Sequence, residues 1–238
     1  MAILAAMQSA AIRLLGQKPT IFFGASGNFE TEIADLVNEV AVDVAKYQDW
    51  QALVRIGTVT GTGTQTDFAL PDDYDRMMVR SDVADLSNWF WGFGSYNDLN
   101  AFLYDEARGF SGLPGGWIIY ANRLRFSPAP NAAQVATFPY ISKNWAIDTS
   151  TAPKPAFTAD TDSFALPERL LTLGLVWRWN EQKKLDATGD QEAFIKALDE
   201  YAAKDTGSRI HRRRARRGFP GTYPAWPYAL GPSTYLDH

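Results

Sequence analysis

Phe164-Ala-Leu-Pro-Glu-Arg-Leu-Leu-Thr-Leu-Gly-Leu-Val-Trp-Arg-Trp-Asn-Glu-Gln-Lys-Lys184 is the stretch that decides how this chain folds. Pro167 stands where a first helical turn begins, a place where its fixed φ and missing N–H cost nothing. From Leu170 to Trp179 the apolar residues fall at helical spacing on two faces, one through Leu170, Leu173 and Trp177, the other through Leu171 and Leu175. A stripe that wide predicts a helix over about 167–185 that is covered on more than one side. Lys183 and Lys184 near its end suit the negative pole of the helix dipole.

A partner helix follows over 190–204, with Phe194, Ala197, Leu198, Tyr201 and Ala202 on one stripe, Asp190 as its N-cap and Gly207 as its stop. The short link predicts antiparallel packing of the two. Upstream, a helix over 2–15 carries Leu4, Met7, Ala11 and Leu14 and ends at Gly16. A longer one over 28–55 repeats Ile33, Leu36, Val37, Val40, Val44 and Tyr47 at threes and fours and takes in Trp50 and Leu53. Asp35, Glu39, Asp43 and Lys46 lie away from that stripe.

Between the helices the period changes. Residues 58–70, rich in Thr with Gly61 and Gly63 in the middle, read as a hairpin. Trp117–Tyr120, Leu124–Phe126 and Val135–Ile141 read as a β-meander with a tight turn at Asn122, interrupted upstream by a helix at about 97–108. Phe68-Ala-Leu-Pro71 recurs at Phe164-Ala-Leu-Pro167, and both read as strand-to-helix junctions. The fold class is therefore α+β: a helical bundle with an inserted antiparallel β-meander or small β-sandwich over about 57–145 and an extended C-terminal arm. Residues 1–205 form the core in this reading and 206–238 the arm.

The arm is distinctive. Arg209, Arg212, Arg213, Arg214, Arg216 and Arg217 precede a segment of Pro, Gly and aromatics containing Phe219, Tyr223, Trp226 and Tyr228. Six of the 23 basic residues and one of the 27 acids fall in 206–238, so this tail carries +5 and the rest of the chain −9. Such a segment can continue neither helix nor sheet, and its aromatics imply that it orders on another surface. The arginines could meet phosphates or pair bidentately with carboxylates of a protein.

Support for catalysis or metal binding is thin. The two histidines, His211 and His238, lie in the arm, and there is no Cys, which removes thiolate chemistry and Cys-based zinc sites. Asp72, Asp73 and Asp75 read as the opening acids of a turn or short helix that begins at Pro71, Asp160 and Asp162 as turn acids. Gly61-Thr-Gly63 lacks the third glycine of a dinucleotide loop. Trp89-Phe-Trp-Gly-Phe-Gly94 could stack a sugar or base, but aromatics flanked by glycine more often pack on the core or a neighbouring subunit. Met1 to Leu15 has no basic residue before Arg13 and reads as an ordinary helix, and no run approaches the roughly 18 apolar residues of a membrane span.

Several phrases then occur in order: Tyr47-Gln-Asp-Trp-Gln-Ala-Leu53, Phe68-Ala-Leu-Pro-Asp-Asp-Tyr-Asp75, Leu124-Arg-Phe-Ser-Pro-Ala-Pro130, Phe138-Pro-Tyr-Ile-Ser-Lys-Asn-Trp145, Asp160-Thr-Asp162 and Leu173-Gly-Leu-Val-Trp-Arg-Trp179. Together they resemble the head-to-tail adaptor (connector, head-completion) proteins of tailed bacteriophages. The resemblance covers most of 28–210. It implies a structural virion protein made in the host cytoplasm, without enzymatic activity or cofactors. It further implies a dodecameric ring beneath the portal protein, tail or nozzle proteins below it, and a C-terminal arm that clasps the portal. A ring needs two unlike contact faces on each copy, and Trp177, Arg178 and Trp179 are the candidates on the opening helix. Contact with packaged DNA through the arginines, a nucleic-acid-binding protein more generally, and a carbohydrate-binding module are the alternatives.

Overall fold

Helix α4 (Glu168–Gln182) is where three other helices meet. It buries Leu170, Leu171, Thr172, Gly174, Leu175 and Val176, while Leu173 and Trp177 are half-buried. The two-sided stripe of the sequence is therefore real: α1 (Leu4–Leu15), α2 (Asn28–Tyr47) and α5 (Thr188–Asp205) all pack on it. In this computed structural model the description covers residues 2–79, 81–85, 93–109 and 115–205. Pro167 occupies the N-cap position, one residue before the first helical turn.

The described residues fall into two compact units, one of 2–57, 70–81 and 138–205, the other of 58–69 and 82–137. The first holds the helices around a single core that also takes in Ile141, Trp145, Phe157 and Phe164. Gly174 lets the helices approach: a Cβ there would lie 2.4 Å from a Val40 methyl and 3.0 Å from the Phe194 ring. Contacts of Trp177 with Phe194 and of Asn180 with Asp190 run in opposite chain directions, so α4 and α5 are antiparallel. Asp190 lies inside the first turn of α5 and accepts from Asn180, so it is not the N-cap; Asp186 instead accepts from the Thr188 N–H.

Helix α2 departs from expectation at its end. It stops at Tyr47 rather than near Arg55, and Gln48 is fully extended. The cause is Trp50, whose indole N–H donates to the Val44 carbonyl at 2.7 Å, satisfying one of the carbonyls that a helix end leaves free. Trp50 and Leu53 are buried by this fold-back and by a 3-10 turn, Gln51–Leu53, rather than by helical phase. Tyr47 leaves the core stripe, 44% exposed, and donates its hydroxyl to Asp199.

Strands β1 (Val54–Thr60), β3 (Tyr74–Met77), β4 (Ala84–Asp85) and β8 (Val135–Ser142) form one sheet in the order β1-β8-β3, with β4 also on β8. A second sheet runs β2 (Asp67–Ala69), β7 (Arg123–Ser127), β6 (Gly116–Tyr120), β5 (Gly94–Ser95), its β5–β6 pair parallel. Three two-residue strands, β9 (Ala146–Ile147), β10 (Pro153–Lys154) and β11 (Ser163–Phe164), complete a third. The fold class is α+β.

Two local expectations fail here. Residues 58–70 are not a hairpin: β1 joins β8 and β2 joins β7. Gly61 and Gly63 donate to the carbonyls of Gln134 and Pro130 instead of turning the chain. The meander is likewise only a hairpin, β6–β7, turned by Ala121 and Asn122 at positive φ, because β8 pairs elsewhere. The second unit is filled by Phe68, Phe93, Phe102, Leu124 and Phe126, with Phe93 packed edge-on against Phe126 at 4.8 Å. The phrase 68–71 leads into a turn and β3, so Asp72, Asp73 and Asp75 do not open a helix, whereas 164–167 does lead from β11 into α4.

Candidate interaction surface

The triplet Trp177-Arg178-Trp179 sits where α4 has turned past its buried face, and all three residues are half-buried. Trp177 stacks on Phe194 of α5 at 5.3 Å between ring centres. Trp179 meets Phe29 edge-on and donates its indole N–H to Glu32 at 3.2 Å. Positions two apart on a helix, such as 177 and 179, point about 160° away from each other. The indoles are therefore claimed by different helices, Trp177 by α5 and Trp179 by the first turns of α2.

Arg178 lies among carboxylates. Its guanidinium donates to Asp43 at 2.6 Å and to Glu181 at 3.3 Å, with Glu39 at 3.8 Å, and it covers the face of Trp177 at 4.4 Å. Burial alone would lower its pKa, but the hydrogen bond it donates to Asp43 and the surrounding carboxylate charges raise it. Its Nε is buried without a hydrogen-bond partner. Three acids around one cation leave this side of α2 and α4 negative. Lys183 pairs with Glu32 at 2.8 Å, one helical turn away.

Asp35, Glu39 and Asp43 recur every fourth residue along α2, which places them on one face. They border an open cleft of about 420 Å³ whose far side is Trp145 and Pro155. Asn38 sets that far side, exchanging both amide hydrogen bonds with the Phe157 backbone. The arrangement suits a cationic, amphipathic side chain. In the sequence these acids lie off the core stripe with no role of their own. Their spacing of four is the signal that marks them.

Of the acids singled out in the sequence, Asp73, Asp160 and Asp162 hold the fold together. Asp73 accepts from Tyr140 at 2.6 Å; burial and this bond push the Tyr140 hydroxyl up to about 12. Asp160 accepts the backbone N–H groups of Phe22 and Phe23. Asp162, 2% exposed, accepts from Thr158, Ala159 and Lys154. Among the described residues no group of three His, Cys, Asp or Glu side chains is placed to hold a metal ion, and no helix is long and apolar enough to cross a membrane. Arg209, Arg212, Arg213, Arg214, Arg216, Arg217, Phe219, Tyr223, Trp226, Tyr228, Trp89 and Trp91 lie outside the described residues.

A family model described as SU10 adaptor protein matches residues 2–218, nearly the whole chain. No curated protein matches it.

Proposed function

Because the chain belongs to the SU10 adaptor protein family, a phage head-to-tail adaptor family, and is therefore a virion component, we propose that its copies assemble into a ring between the portal protein and the tail. Twelve copies is the number that the resemblance to phage adaptors implies. The observation that carries this reading is the extent of the match, which takes in the helical core, the β-rich excursion and the arginine run up to Arg217. The arm, residues 206–238, docks on the portal: Arg209, Arg212, Arg213, Arg214, Arg216 and Arg217 pair with carboxylates, and Phe219, Tyr223, Trp226 and Tyr228 add apolar area that orders on assembly. The exposed edges of Trp177 and Trp179 border the contact between copies, spaced by Arg178. The chemistry is binding, not catalysis, and tail or nozzle proteins seat on the opposite side of the ring. Synthesis takes place in the host cytoplasm.

Deleting residues 208–238 is expected to leave a folded protein that no longer completes filled heads. Normal virion yield from the truncated protein, measured by plaque titre and electron microscopy, would remove the arm from this account. A second reading, contact of the arm with packaged DNA, is favoured by six arginines within residues 209–217. The −9 charge of the remaining chain opposes any larger nucleic-acid footprint.

A further inference from the structure

Helices α1 and α5 pack on opposite flanks of α4. Thr172 donates its hydroxyl to the Ala6 carbonyl of α1, whereas Trp177 stacks on Phe194 of α5. Five residues separate Thr172 from Trp177, about 140° around the helix. With neighbouring helix axes about 8–10 Å apart, α1 and α5 are then roughly 15–20 Å from each other.

Their outer faces are unlike. On α1 and the loop after it, Ile12, Leu15 and Ile21 are 49%, 44% and 50% exposed. The only charged residues before Glu30 are the exposed Arg13 and Lys18. On α5, Ile195 is 45% exposed and shares a face with Glu192, Lys196 and Asp199; Leu185 just before the helix is 55% exposed. Residues 186–205 hold six acids against two lysines. One flank is thus apolar and basic, the other apolar and acidic.

We infer that the α1 flank of one copy seats on the α5 flank of the next, a head-to-tail contact. The occupant of each flank is a second copy of this chain. An apolar centre with opposite charge around it both attracts and orients the neighbour, and two unlike faces on opposite sides generate a ring when the rotation closes. This rests on the ring proposed above. It adds which surfaces meet, and it assigns the exposed edge of Trp177 to the α5 side.

The absence of Cys makes the test direct. Virions are prepared carrying one cysteine on α1 (Ile12→Cys or Leu15→Cys) and one on α5 (Glu192→Cys or Ile195→Cys), in all four pairings, and oxidised. A disulfide needs Cα atoms within about 7 Å, so α1 and α5 of one chain cannot join. The expected result is a ladder of covalent multimers on a non-reducing gel in at least one pairing, lost when either cysteine is omitted. Dimers from a single-cysteine variant would mean like-to-like contact and overturn the inference. Monomers in all four pairings, from virions whose micrographs still show a ring, would overturn it while leaving the ring standing. Micrographs without any ring of this protein would sink both.

Discussion

At the residue scale, Asp162 does the most joining for its size. Its carboxylate takes the N–H groups of Thr158 and Ala159 and the Lys154 ammonium at 2.7–2.9 Å, while its own carbonyl receives the Ile3 N–H at 2.7 Å. One residue thus ties the loop before α4 to the start of α1. Burial alone would raise its pKa, but the Lys154 and backbone hydrogen bonds outweigh that and hold it below the ordinary 3.8. The stabilisation from the ionised form is complete above that ordinary value and is lost as pH falls through the lower folded value. Asp162→Asn should cost about 1–3 kcal/mol at neutral pH, because an amide cannot replace a charged acceptor of three donors. Urea melts from pH 2 to 7 should show a weaker acid dependence in the variant; curves of equal slope would contradict this role. The sequence shows Asp160 and Asp162 as acids in a turn but conceals their donors, since Phe22 and Phe23 are some 138 residues away from Asp160.

At the scale of elements, Gly174 is the point to test. Alanine would gain up to about 1 kcal/mol of helix propensity, yet its methyl would overlap a stiff Val40 side chain and crowd Phe194. Overpacking costs about 1–3 kcal/mol, so Gly174→Ala should lower thermal stability; a stabilised variant would show that α2 and α5 do not close on α4 this tightly. What the sequence discloses about elements follows their range. The α2 stripe, the Gly16 stop with its left-handed φ and the Ala121-Asn122 turn are local and legible. The end of α2 is not, because an indole bond to Val44 terminates it. Nor is the pairing of residues 58–70, whose glycines find their partners some 70 residues downstream. The candidate surface is half legible: the triplet 177–179 stands out in the sequence, while Asp43 and Glu39, which pair with Arg178, and Glu32, which holds the Trp179 indole, are distant in it.

At the scale of the whole molecule, each of the two units carries its own apolar centre. Local opening follows such cooperative blocks. Native-state hydrogen exchange should therefore show the amides of α2 and α4 opening together and those of β6 and β7 opening together, with different free energies. One shared opening energy throughout would contradict this. The chain leaves the helical unit at Gly57, rejoins it over 70–81 and returns for the last time at Phe138, whose ring would lie 2.4 Å from a Cβ on Gly57. Met78 likewise donates its N–H to the Pro139 carbonyl, holding together the two ends of residues 82–137. Loop length beyond such a clasp is tolerated at small cost. The consequence is evolutionary: recombination between genomes could replace that stretch with another of different length, and the clasp would spare the helices any change in the span they must bridge.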